Sequence, residues 1–328
     1  MAGATVTCLD LPPGRSWVTQ RRGRQHRWRR GAAITGATLD WVVTVRRSGR
    51  DRNPELGAFL RSRRARLDPR HFGLARASGR RVPGLRREEL AQLASVSMDY
   101  YTRLEQGRQP TASASVLDAL ASALQLTDTE RVYLHRLARV PAAPHTAGRA
   151  VPSAVRPGTY RLMELLETAP AILCDRRTDI LAVNDAARLV FTDFTALPAP
   201  QRNAVRWCLS EAAQQLYGDE WESIAGEMVG MLRLGASGHI NDPRTVELID
   251  ELTENSPMFC RLWADRRVSA QFRDSKTLHH PTAGTLQLMV EVMAVPGAPE
   301  QTLHITMPEE GSRSEAAIQE LVSQSRIG

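Results

Sequence analysis

Lysine is almost missing from these 328 residues: Lys276 is the one lysine among 43 Lys and Arg residues. GC-rich coding explains that choice as readily as function does. Cysteine is equally sparse. Cys8, Cys174, Cys208 and Cys260 lie far apart and form no C-x-x-C pair. Free thiols in a reducing cytoplasm are therefore expected, with neither a zinc site nor a disulfide framework. No apolar run approaches the roughly 18–20 residues that a membrane span needs. The basic N-terminus lacks an apolar stretch followed by a small-residue cleavage site, so secretion is not expected. G-x-S-x-G, P-loop, H-E-x-x-H and phosphoryl-transfer motifs are all absent from the sequence, which leaves an enzyme reading without chemical support. His279 and His280 have no His or carboxylate three or four residues on, so no metal site is expected.

Charge is present but segregated. Residues 1–50 carry ten arginines against two acids, and residues 51–150 carry seventeen basic against ten acidic side chains. Residues 151–328 reverse the balance, with sixteen against twenty-four. The basic part suits a polyanion; the acidic remainder does not.

The chain divides accordingly. Residues 1–52, with "RRGRQHRWRR" at 21–30, read as a basic, disordered extension. Residues 53–140 carry helical periodicity. "PELGAFLRSRRARL" aligns Leu56, Phe59, Leu60 and Leu67, with Pro54 at a first-turn position. A loop with Arg70, Arg76, Arg80 and Arg81 precedes "LRREELAQLA" and "SMDYYTRLEQG", the latter ending at Gly107 as a C-cap. "SASVLDALASALQL" and "TDTERVYLHRLARV" follow, the second with Thr127 and Glu130 in capping-box spacing. Residues 141–157 hold four prolines and read as a linker. Residues 158–310 start with two short strands around Arg176–Thr178, continue through helices and end in alternating strands, the pattern of an α+β domain with an antiparallel sheet. Residues 311–328 are expected to be a tail.

"LAQLASVSMDYYTRLEQGRQP", residues 90–110, carries the chemistry. Two helices crossing steeply need a small residue at the contact, apolar residues at fixed offsets and a turn that accepts positive φ. Ala91 is the small contact, Leu90 and Ala94 face inward, Val96 plugs the turn, and Tyr101 and Leu104 anchor the second helix. Ser97 is placed as its N-cap. Ser95 occupies the turn position where Gly is preferred. The competing reading is a plain helical hairpin, which would match so many positions only occasionally.

These residues, with "LGAFLRSRRARL" upstream and "VLDALASALQL" downstream, resemble the Cro/lambda-repressor class of helix-turn-helix, the XRE family. "VPGLRREEL" and "YYTRLEQGR", then "DILAVNDAA", "LYGDEWESIAGEMVGMLR", "DPRTVELIDELTENSPMFCRLWADRRV" and "HHPTAGTLQL", narrow the resemblance to the MmyB-like (MltR-type) regulators, to about residue 305. It implies an all-α five-helix helix-turn-helix domain followed by an α+β, PAS-like ligand-binding and dimerisation domain. It also implies a second motif helix lying in the major groove of double-stranded DNA. By position, Met98, Asp99 and Arg103 face bases, with Ser97, Tyr100 and Thr102 beside them. Arg103 suits a guanine, while Asp99 either accepts from cytosine or orients Arg103 one turn on. Arg86, Arg87 and Arg108 are phosphate candidates. In this class an Arg of the first helix pairs with a Glu beneath the motif, here Arg64 with Glu105.

For the second domain the resemblance implies no cofactor but a fatty-acid-like or furan-type effector. Candidate ligand residues are Asn184, Trp207, Trp221, Met228, Met231, Phe259, Trp263 and His280, a mix that suits a pocket and equally suits a core. Val183 stands where the family tends to have Trp. The expected protein is a cytoplasmic, non-enzymatic, homodimeric transcription regulator on a palindromic operator. The alternative is a DNA-binding antitoxin or accessory protein whose C-terminal half holds a protein partner.

Overall fold

The computed structural model describes residues 52–74, 84–138, 154–239, 242–270 and 274–326. The N-terminal extension before Arg52, the loop arginines Arg76, Arg80 and Arg81, and most of the expected linker lie outside the described residues.

Helix α1 (Pro54–Arg66) begins where Asn53 accepts the Leu56 amide and Pro54 takes the first position, whose N–H has no helical partner anyway. Helices α2 (Arg87–Leu93) and α3 (Met98–Glu105) form the motif, and α4 (Ala114–Ala123) and α5 (Asp128–Ala138) close the bundle. Thr127 and Glu130 make the expected reciprocal cap at the start of α5, at 3.1 and 3.3 Å. Leu56, Phe59, Leu60, Leu90, Tyr101, Leu104, Leu120 and Leu134 are all fully buried in one core. Burial of side chains this size contributes about 1.5–3 kcal/mol each. That explains how such short helices hold together, since helices of this length are marginal alone. Leu67 differs from its expected place inside α1: it is the C-cap, half-buried in extended backbone.

The second domain opens with α6 (Pro157–Leu165) and the hairpin β1 (Ala171–Asp175) and β2 (Ile180–Val183). Helices α7 (Asp185–Val190), α8 (Ala204–Cys208), α9 (Glu211–Tyr217), α10 (Trp221–Ala236), α11 (Pro243–Asn255) and α12 (Pro257–Ala264) follow. Then come β3 (Ser275–His280), β4 (Gly284–Val295), β5 (Ala298–Pro308) and α13 (Arg313–Ser325). The strands pair antiparallel in the order β2-β1-β5-β4-β3, so the expected α+β domain is present. Leu278, Leu286 and Leu288 face the main helical core, while Leu173, Leu303 and Ile305 on the opposite face pack under α6.

Two expected boundaries move. The supposed tail contains α13, whose Ile318 is fully buried and whose Val322 joins it in the core; an apolar pair at i and i+4 shares one helix face. The supposed linker ends early, because Val155 packs under the sheet and Pro157 starts α6.

Ser95 takes φ = 53° between α2 and α3, the left-handed conformation expected there and one that favours glycine. Ser95→Gly should stabilise the chain by about 0.5–1 kcal/mol. Urea unfolding with an unchanged m-value checks this; a lowered midpoint would show that the serine carries a contact of its own.

Candidate nucleic-acid interface and ligand pocket

Beneath α3, the second helix of the motif, lies a carboxylate with no solvent exposure, that of Glu105. Arg64 of α1 grips it with two hydrogen bonds, Nε to Oε2 at 2.8 Å and Nη2 to Oε1 at 2.9 Å. Arg87 of α2 adds Nε to Oε1 at 2.9 Å, and Arg61 approaches the same oxygen at 3.6 Å. One carboxylate therefore ties three helices. Gly57 makes the crossing possible, because a Cβ there would lie 2.4 Å from the Glu105 carbonyl oxygen. Burial opposes ionisation of Glu105, but the Arg64 hydrogen bonds and charge more than offset it, and the carboxyl titrates below its ordinary value. Burial also raises the phenol of neighbouring Tyr101, with the Glu105 charge adding to it.

On the opposite side of α3 the candidate reading residues stand out. The Ser97 hydroxyl accepts the Tyr100 amide at 3.1 Å and caps the helix. Met98 is 54% exposed. Asp99 and Arg103 are exposed and paired at 3.1 Å across one turn. Tyr100 and Thr102 are half-buried at the flanks, and Arg108 is exposed just beyond. Arg86 is half-buried beside Glu88 at 3.4 Å. Arg87 turns inward to Glu105, leaving its side chain 41% exposed. The structure thus gives Arg87 a part in the clamp that its place at a helix start did not reveal, and Arg61 likewise.

The candidate ligand residues of the second domain are brought together only in part. Trp207 is ringed edge-on by Phe191, Phe194 and Tyr217 at 5.5–5.9 Å. Phe259 stacks on Trp263 at 5.2 Å, and Met228 and Met231 pack against the same core. Trp221 donates its Nε1 hydrogen to the Cys208 carbonyl at 2.7 Å. His280 contacts the Leu189 carbonyl through Nε2 at 3.0 Å. Asn184 has both ends satisfied: Oδ1 accepts from Ala171 and Ala187 at 2.9 Å, and Nδ2 donates to Leu166 and Ala169 at 2.8 and 2.9 Å. These side chains hold the fold.

A cavity of about 260 Å³ opens elsewhere, between α6, the end of β2 and α13. Met163, Leu166, Val183, Ala186 and Val322 are its apolar lining residues, and Tyr160, Glu164, Glu167, Asn184, Asp185 and Arg326 its polar ones. Of the candidate ligand residues, only Asn184 lines it. The one sequence signal for it was Val183, a small residue where the resemblance implied a large one.

Residues 155–321 match the family described as MmyB-like transcription regulator ligand binding domain. Residues 55–134 match the family described as helix-turn-helix domain. No curated protein matches the chain.

Glu105→Gln keeps the side-chain shape and removes the charge that holds the arginines. We expect it to cost about 2–4 kcal/mol at neutral pH, as for a broken buried pair. A depressed carboxyl pKa adds stability above the unfolded value, and that stability disappears as pH falls through the folded one. The gap between wild type and variant in urea unfolding should therefore be full above the ordinary value of 4.5 and close below it. A gap that is the same at every pH would remove the charge from the explanation.

Proposed function

This chain belongs to the MmyB-like transcription regulators, and on that premise we propose that it binds operator DNA through α3 and answers a small molecule through its second domain. The observation that carries the DNA half is the two-sided construction of α3. Its buried side is clamped through Glu105, while Met98, Asp99 and Arg103 project into solvent with no role in the core. A helix presented this way suits the major groove, with Arg103 as a fork for guanine held in place by Asp99. The basic balance of residues 1–150 supplies the sequence-independent attraction to phosphate.

The ligand is an apolar or amphipathic molecule, of the fatty-acid-like or furan-type kind that the family resemblance implies. The cavity beside Val183 supports an amphipathic ligand: Met163, Leu166, Val183 and Val322 line it together with Glu164, Asn184, Asp185 and Arg326. The protein acts as a homodimer in the cytoplasm on a palindromic operator. Support for a second copy comes from large apolar side chains left in solvent on α6 and β4: Tyr160, Leu162, Leu165, Met289 and Met293 are 44–61% exposed. A ligand regulates only by binding the DNA-competent and incompetent arrangements unequally. No helix among the described residues is long and apolar enough to cross a membrane.

Selection of bound duplexes from a random pool by the full-length chain tests the reading. We expect a palindromic consensus whose affinity falls steeply as salt rises. Arg103→Ala should lose about 1–3 kcal/mol of discrimination at one base pair of each half-site. Arg108→Ala should weaken all sequences alike and flatten the salt slope by about one unit. Enrichment of no sequence, with binding indifferent to salt, would refute it.

A further inference from the structure

The two domains meet through a buried charge cluster. Glu55, in the first turn of α1, is 4% exposed and belongs to the DNA-binding domain. Its Oε1 accepts from the Tyr133 hydroxyl of α5 at 3.0 Å and from Arg233 Nη1 of α10 at 2.9 Å. Its Oε2 accepts from Arg266 Nη1, just after α12, at 2.8 Å. The two arginines belong to the second domain. Reciprocal bonds run alongside: Arg63 of α1 donates to the Arg266 carbonyl at 2.7 Å, and Arg66 donates to that of Asp265. Leu234 and Val268 of the second domain complete the contact by packing against the first domain's core.

Arg233 is 2% exposed and is held from its own side by Trp263. Its guanidinium lies over the Trp263 indole at 3.8 Å and also donates to the Trp263 carbonyl. Trp263 in turn stacks on the fully buried Phe259. A shift in the packing of that core therefore moves the ring and the carbonyl that hold Arg233. Arg266 adopts φ = 53°, a left-handed conformation that favours glycine; the contacts with Glu55 and Arg63 hold it there. At the other end, α1 carries the Arg64 grip on Glu105 and approaches α3 backbone to backbone at Gly57. A continuous packed path thus runs from Phe259 and Trp263 through Arg233, Glu55 and α1 to the reading helix.

Glu55 and Arg233 are buried almost completely, and Arg266 is largely covered beside them. Withdrawing one partner leaves the others desolvated and uncompensated, so the docked arrangement is discrete and does not slide. We propose that the Glu55–Arg233–Arg266 cluster is the interdomain latch that couples the packing state of the second domain's core to the placement of the DNA-reading helices. Its meaning for regulation rests on the reading given under Proposed function; the coupling itself does not. Glu55, Arg233 and Arg266 are positioning residues, since none lies on the exposed side of α3.

Amide hydrogen exchange on the full chain, without DNA or effector, tests the latch. Arg233→Met keeps the length of the side chain without its charge. It should speed exchange in α1 and α5 of the other domain on the order of tenfold. Glu55→Gln should reciprocally speed exchange at 231–236 and 263–266, and the double variant should add little to either. Arg261→Met, which removes an exposed arginine of α12 that bridges Glu222, should leave α1 and α5 unchanged. If Arg233→Met unfolds its own domain, the Glu55→Gln exchange at 231–236 and 263–266 decides. Effects confined to the mutated domain, or strictly additive in the double variant, would overturn the proposal. If wild-type chain binds no duplex while the exchange coupling persists, the regulator reading fails and the latch stands.

Discussion

A single buried carboxylate governs how this protein presents its surface to DNA. Glu105 sits at the end of α3 with no solvent contact and is held by Arg64 and Arg87 from two other helices, with Arg61 close by. An ionised carboxylate out of water is costly unless several charge-assisted hydrogen bonds replace its hydration. Those bonds form in only one arrangement of α1, α2 and α3. The geometry of the motif is therefore set from beneath, and the outward side chains are left free of any packing role. Met98, Asp99 and Arg103 can vary without disturbing the fold that aims them, because their side chains add little to the core.

The same logic recurs at the domain junction. Glu55, in the first turn of α1, is a second buried carboxylate, and it too collects arginines from neighbouring elements. α1 thus carries an arginine that grips the reading helix and a glutamate that grips the second domain. With Arg in place of Lys almost throughout, the chain has planar, multidentate donors at each of these points. The cost is that both junctions tolerate little change, since each depends on complete pairing. The second domain contrasts with this economy of contacts: its aromatic side chains pack on one another and fill the space between sheet and helices, and the cavity lies at the side, where α6 and α13 meet β2.

Much of the helix-turn-helix was legible before any coordinates. Ser95 at positive φ, the Ser97 cap and the Thr127–Glu130 box depend on residues one to four apart, while the Arg64–Glu105 pair was implied by the family resemblance. The ligand side was far less so. Trp207, Phe259 and Trp263 are the residue types of a pocket and equally those of a core, and composition does not distinguish them. Asn184 is one wall residue of the cavity, yet it serves as a strut whose bonds reach Ala171 and Leu166. Helix α13 leaves a weak sequence signal because its few apolar residues, Ile318 and Val322 among them, are thinly spread among polar ones. Only the groove waiting for them shows that they are core.

What the sequence determined by itself is local and periodic: where most helices begin and end, which positions turn, which faces are apolar, and that a basic first part is followed by an acidic remainder. These follow from neighbours along the chain, where backbone geometry does the sorting. What the tertiary structure decided is every outcome that depends on distant residues meeting. Arg61 and Arg87 become part of a clamp, Glu55 finds Arg233 across 178 residues, and a cavity opens where α6, β2 and α13 converge. Such meetings carry no signature in spacing, because the chain folds back with no fixed period. A guanidinium has the same composition whether it faces solvent, phosphate or a buried carboxylate; its surroundings in the fold choose among them.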